Sequence, residues 1–118
     1  MTEGELKERT KQFALRVLKL VSALPKTIEA RALGGQLARS GPSVGANYRA
    51  ACRARSTAEF ISKLGTVVEE ADESAYWMEL IMDGGFLARK RVEALYREAD
   101  ELTAIMVSSR VTACKKTR

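Results

Sequence analysis

Apolar residues along this chain recur at alternating steps of three and four, the spacing of one face of an α-helix. In the first segment Leu6, Phe13, Val17, Leu20 and Leu24 form one stripe, with Ala14, Leu18 and Val21 beside it. Pro25 closes that segment, because a proline pushes the preceding residue out of the helical region. Thr27 is placed to cap a second helix with the stripe Leu33, Leu37, Val44, Tyr48, Ala51. Gly34-Gly35 and Gly41-Pro42 interrupt it and would ordinarily read as breakers. The phase from Leu37 to Val44 survives across Pro42, which predicts one helix kinked near Pro42 rather than two short ones. Ser56-Thr57-Ala58-Glu59 has the form of a capping box and opens a third helix, with the stripe Phe60, Leu64, Val67, Ala71, Ser74, Met78, Ile81. Gly84-Gly85 supplies its left-handed stop. The fourth stripe is Val92, Leu95, Ala99, Leu102, Met106, Ser109, Ala113. No segment shows the period-two alternation of a half-buried strand.

Four long helices with short connections predict an all-α, antiparallel up-and-down four-helix bundle, one domain over residues 1–118. Residues 110–118 form a basic tail expected to fray. The third helix carries more apolar surface than one stripe needs. Ile61, Val68, Ala75 and Met82 make a second line, extended by Tyr76, Trp77 and Leu80. Such a surplus marks either a wide core face or a contact with another copy, and Ile61, Val68, Tyr76, Trp77 and Leu80 are the candidate oligomer interface.

Charge changes the picture more than composition does. The formal net charge is +5, unevenly spread. Arg31, Arg39, Arg49, Arg53, Arg55 and Lys63 face a single acid, Glu59, over their stretch; Glu69 to Asp83 holds acids and no base. Arg110, Lys115, Lys116 and Arg118 close the chain. Separated zones of opposite sign suit binding of a polyanion or head-to-tail contact between copies. Arg39, Arg49, Arg53, Arg55 and Lys63 are the candidate nucleic-acid-binding residues, since arginine's fork fits phosphate oxygens. Their competing use is pairing with the acidic stretch Glu69 to Asp83, within the chain or across a ring interface. Without a sequence-reading fingerprint, binding would follow the phosphate backbone.

The chain has no histidine, the usual general base and commonest metal ligand. No catalytic constellation replaces it, so no enzyme activity, cofactor or small-molecule substrate is expected. Glu69, Glu70, Asp72 and Glu73 lie on one helix, whereas a bundle-core metal site draws glutamates from several, so no metal is expected. Cys52 and Cys114 match no zinc or redox spacing and are expected to be reduced, partly buried thiols. No apolar run is long enough to span a membrane, and MTEGELKERTKQ lacks the apolar stretch of a signal peptide; a cytoplasmic protein is the expectation. Ser40, Ser43 and Asn47 either form a small polar pocket or satisfy carbonyls released by Pro42.

The linked motifs of the middle of the chain add a resemblance. They are Gln36-Leu37-x-Arg39-Ser40, Ser43-Val44-x-Ala46-Asn47-Tyr48, Arg53-x-Arg55-Ser56, Glu59-Phe60-Ile61-x-Lys63-Leu64, Glu69-Glu70-Ala71-Asp72-Glu73 and Tyr76-Trp77-x-Glu79-Leu80. In this order they resemble the bacterial four-helix bundle family first noticed as reading frames within intervening sequences of large-subunit ribosomal RNA genes. The resemblance runs from about Phe13 to Met106. It implies an antiparallel bundle assembled into a homopentameric ring. A similar fold occurs in the accessory protein of diversity-generating retroelements, which implies RNA or DNA, and a reverse transcriptase or other protein, as partners to test. Many relatives carry a glutamate where this chain has Ala50; its loss would leave Arg49 or Arg53 freer to meet an outside anion.

Overall fold

Each periodic segment forms one helix in the computed structural model, which describes residues 1–116. They are α1 (Glu3–Ser22), α2 (Ile28–Cys52), α3 (Thr57–Asp83) and α4 (Arg89–Lys116). Their caps follow from local chemistry. The hydroxyls of Thr2, Thr27 and Ser56 accept from the backbone N–H groups of Glu5, Ala30 and Glu59, each at 3.1 Å. The Glu59 carboxylate reaches back to the Arg55 N–H at 3.1 Å, one residue before the cap itself. At the other end of α3, the N–H of Phe86 bonds to the carbonyl of Ile81 and that of Gly85 to Met82. Gly85 has φ +71°, completing the Schellman turn expected of the glycine pair.

The helices pack in chain order around a square, α1 on α2, α2 on α3, α3 on α4 and α4 back on α1, and among the described residues no diagonal pair of backbones approaches as closely. The rod measures 49 × 20 × 20 Å. The four stripes fill its centre: Phe13, Val17, Leu37, Val44, Leu64, Met78, Leu102 and Met106 are all fully buried. Leu24, Leu33, Phe60 and Ser109 are half-buried at the margins. Ala75 and Met82, part of the surplus line on α3, are buried within this chain. The reason is that α3 makes the two most extensive seams of the bundle, with α2 and α4, and so needs a wider apolar face than one stripe. The apolar side chains left to solvent include Leu15 and Leu18 on α1, Ile28 at the start of α2, Tyr76 on α3, and Val107 and Val111 on α4.

α2 runs unbroken through Pro42. Gly41 and Gly45 serve packing rather than termination. A Cβ on Gly41 would stand 2.6 Å from Cγ1 of Val17, and one on Gly45 3.0 Å from Oγ1 of Thr10. One face of α2 is therefore kept bare so that α1 can approach closely. The polar residues near Pro42 divide their work differently from either expectation. The Ser43 hydroxyl donates to the carbonyl of Arg39 at 2.8 Å and the Asn47 amide to that of Ser43 at 2.8 Å. Neither reaches Ala38, whose carbonyl Pro42 leaves without its helical donor. Ser40 instead points into the core, where its hydroxyl lies 2.8 Å from that of Ser74 on α3.

Of the basic tail, residues 110–116 continue α4 through Lys116; Thr117 and Arg118 lie outside the described residues. Neither Cys52 nor Cys114 forms a disulfide. Cys52 is half-buried as expected, but Cys114 is exposed, because its position on α4 follows Ala113 off the buried stripe. Among the described residues no helix is long and apolar enough to cross a membrane.

Candidate nucleic-acid interface

The five basic residues singled out above fall into two groups. Arg39, midway along α2, extends across to α3. Its Nη1 lies 3.3 Å from Oε2 of Glu70, and its Nη2 bonds to Oε1 of Glu73. The hydrogen bond from Arg39 holds the Glu73 carboxyl below its ordinary range, and a second bond from the Trp77 indole N–H acts in the same direction. Lys63 lies 3.9 Å from Glu59, one turn earlier on α3. Arg39 thus faces the acidic stretch Glu69 to Asp83, the competing use foreseen from the charge zones, whereas Lys63 pairs with Glu59, outside that stretch.

Arg49, Arg53 and Arg55 are different. All three are exposed where α2 ends and α3 begins, and no described carboxylate pairs with their side chains. Arg49 occupies the last turn of α2 and Arg53 caps it. Arg55 is fixed through its backbone by Glu59, which leaves its guanidinium to solvent. Beside Arg55 lies an open cavity of about 610 Å³ between this turn and the end of α4. Arg55 and Lys116 contribute cations to its lining, and Ser56, Thr57, Ser108 and Thr112 contribute hydroxyls. The first turn of α3 faces it, and a helix N-terminus carries positive partial charge. The combination of cations, hydroxyl donors and a helix N-terminus suits phosphate oxygens. Sequence reading placed Lys116 in a basic tail without linking it to Arg55. Only the antiparallel return of α4 brings them together.

The strongest ion pair was not anticipated. Arg9 on α1 grips Glu98 on α4 with both arms, Nε to Oε2 and Nη2 to Oε1 each at 2.7 Å, and Nη2 also meets Glu101. These bonds raise the Arg9 pKa and lower that of Glu98. Nothing in the local sequence marks Arg9, since its partners lie on the last helix. Among the described residues no three cysteine or carboxylate side chains are grouped as metal ligands.

The candidate interface residues do not share one side of α3: Val68 lies toward α4, whereas Trp77 bonds to Glu73, which faces Arg39 of α2. Trp77 is half-buried, donates its indole N–H to Oε1 of Glu73 at 3.2 Å, and meets Tyr76 edge to face at 5.2 Å between ring centres. Tyr76 is 52% exposed. Ile61, Val68 and Leu80 are half-buried. Val68 continues onto α4 through Val107 and Val111, which the sequence reading did not flag.

Residues 3–108 match the family described as 23S rRNA-intervening sequence protein. The chain belongs to that family. A solved structure from Bacteroides thetaiotaomicron, described as a protein of unknown function from the S23 ribosomal protein family, is 32% identical with a TM-score of 0.85. The match covers 93% of this chain and 98% of that one. No curated protein matches the sequence. Membership of the intervening-sequence family accounts for the order of the central motifs and for the bundle. The descriptions of the family and of its solved member name no enzymatic activity.

Proposed function

We propose that this intervening-sequence family protein is a non-catalytic homo-oligomer that binds RNA or DNA through the phosphate backbone, using Arg49, Arg53 and Arg55. The observation that supports this most is the division of its bases. Arg39 and Lys63 have carboxylates paired with them, whereas no described carboxylate pairs with the side chains of the three arginines at the α2–α3 turn, and one of these, Arg55, lines an open cavity together with Lys116. The pentamer is what the resemblance implies. Exposed Tyr76, Val107 and Val111 supply the apolar surface such a ring would cover.

The test is a salt titration of binding to random RNA and DNA, comparing wild type with Arg49→Gln/Arg53→Gln/Arg55→Gln. The variant should bind more weakly, and its dependence of log K on log salt should flatten by ~0.9 for each duplex phosphate it no longer neutralises, or ~0.7 for a single strand. Helicity and size by light scattering should not change, because exposed substitutions seldom move stability beyond about 0.5 kcal/mol. Binding that survives the triple change refutes the assignment. A wild type that retains no nucleic acid even at low salt, yet runs as a ring that Tyr76→Asp disrupts, would favour a protein scaffold instead.

A further inference from the structure

α1 and α4 form the loosest seam of the bundle. Where the last turns of α1 meet the first turns of α4, the seam opens into a groove of about 490 Å³. Arg16, Lys19 and Arg91 line it, and no carboxylate does. Among the described residues none of the three makes an ion pair or a side-chain hydrogen bond. Glu98, the carboxylate that feels Arg16, is already gripped by both arms of Arg9. Three like charges converging on one groove repel each other, and no carboxylate in the groove lining offsets them.

The start of α4 points the same way. Its first turn reads Arg89, Lys90, Arg91 with no acid. Bases at a helix N-terminus oppose the helix dipole, which favours acids there. Ala88, a poor capping residue, precedes them. Arg89 is offset by Asp83 at 2.7 Å, but Arg91 is not. A place where two local rules of helix construction fail together, beside an open groove, is where a ligand is expected to supply what the chain lacks. We propose that this groove is a second anion site, taking a short run of consecutive phosphates held by Arg16, Lys19 and Arg91. The fork of arginine matches phosphate oxygens, and Leu20, Ala23, Ala94 and Leu95 give the groove an apolar lining for the groups attached to them. Arg91 and Lys116 lie near opposite ends of α4, ~37 Å apart at 1.5 Å per residue. A small polyphosphate therefore cannot touch this site and the α2–α3 turn at once, and the groove can bind its ligand whether or not the turn binds nucleic acid.

The experiment begins from the Arg49→Gln/Arg53→Gln/Arg55→Gln variant, in which the turn site is removed. Calorimetric titration with inorganic tripolyphosphate at low salt should still show binding. Adding Arg16→Gln/Lys19→Gln/Arg91→Gln should weaken it by ~10-fold or more, since three cationic donors to the phosphates are removed. Arg91→Gln alone, at an exposed position, should move affinity in the same direction and covers the case in which the larger variant folds poorly. A single-stranded oligonucleotide roughly twelve residues long, the scale of one single-strand site, identifies the source of the phosphates. If it too loses affinity with the groove changes, the phosphates are those of nucleic acid; if only tripolyphosphate does, they belong to a small ligand. Tripolyphosphate binding that is absent in the turn variant, or unaltered by the groove changes, overturns the proposal. So would equal affinity for a polyglutamate peptide, which would make the groove a site for acidic protein.

Discussion

Gly35 and Gly41 lie on one helix but should respond to alanine with opposite signs. Alanine favours an exposed helix interior over glycine by about 0.8–1 kcal/mol. A Cβ on Gly35 meets nothing within 4 Å, so Gly35→Ala should gain close to that amount. A Cβ on Gly41 would stand 2.6 Å from Cγ1 of Val17 and 2.9 Å from its Cβ and Cγ2. Val17 is fully buried and cannot turn aside, so α1 and α2 must separate along their closest approach. Overpacking of this kind costs ~1–3 kcal/mol and rises toward the upper end when a branched core residue must move. Set against the gain in propensity, Gly41→Ala should be destabilised by roughly 1–2 kcal/mol, a fall in Tm of several degrees for a domain of this size. Urea and thermal unfolding followed by circular dichroism, at one fixed protein concentration, would read both variants. Val17→Ala should cost less in the Gly41→Ala background than in wild type, with a coupling of at least ~0.5 kcal/mol, because it clears part of the space. A Gly41→Ala protein as stable as Gly35→Ala would refute the claim that Gly41 permits close packing of α1 on α2.

Two further outcomes rest on polar contacts between helices. Ser74 donates to the carbonyl of Glu70 at 2.9 Å, so the bond it shares with Ser40 uses the Ser40 proton. Ser74→Ala should leave the buried Ser40 hydroxyl without that partner and cost ~1–3 kcal/mol, while Ser40→Ala/Ser74→Ala should cost less than the sum of the single changes; additive losses in urea would contradict a shared bond. The Glu98 carboxyl is held below its ordinary value of 4.5 by Arg9, so its contribution is present above that value and lost as pH falls through the lower folded value. Arg9→Gln should therefore be less stable than wild type by about 1 kcal/mol at neutral pH, and the gap should narrow as pH drops below about 4.5; a gap that stays constant would remove the electrostatic explanation.

Periodicity alone determined most of this fold. Stripe positions such as Leu37, Leu64 and Leu102 are buried, because a period near 3.6 admits only one way to hide them all. The caps at Thr27 and Ser56 and the stop at Gly84-Gly85 were legible because they depend on contacts a few residues apart. What depended on distant residues was not legible. Gly41 reads as a breaker until Val17 is seen against it, and Ala75 and Met82 read as surplus until α3 is seen between two neighbours. Charge sorted in the same way. The sequence shows that Arg39, Arg49, Arg53, Arg55 and Lys63 are basic and that α3 is acidic; which of them meet is a matter of helix rotation and register. The tertiary structure turns Arg39 toward Glu70 and Glu73, leaves the α2–α3 turn cationic, and returns α4 to place Lys116 beside Arg55 and Arg91 beside Arg16. Helix formation is a local matter of spacing and caps, but a surface is assembled from several helices, and its charge appears only when they are packed.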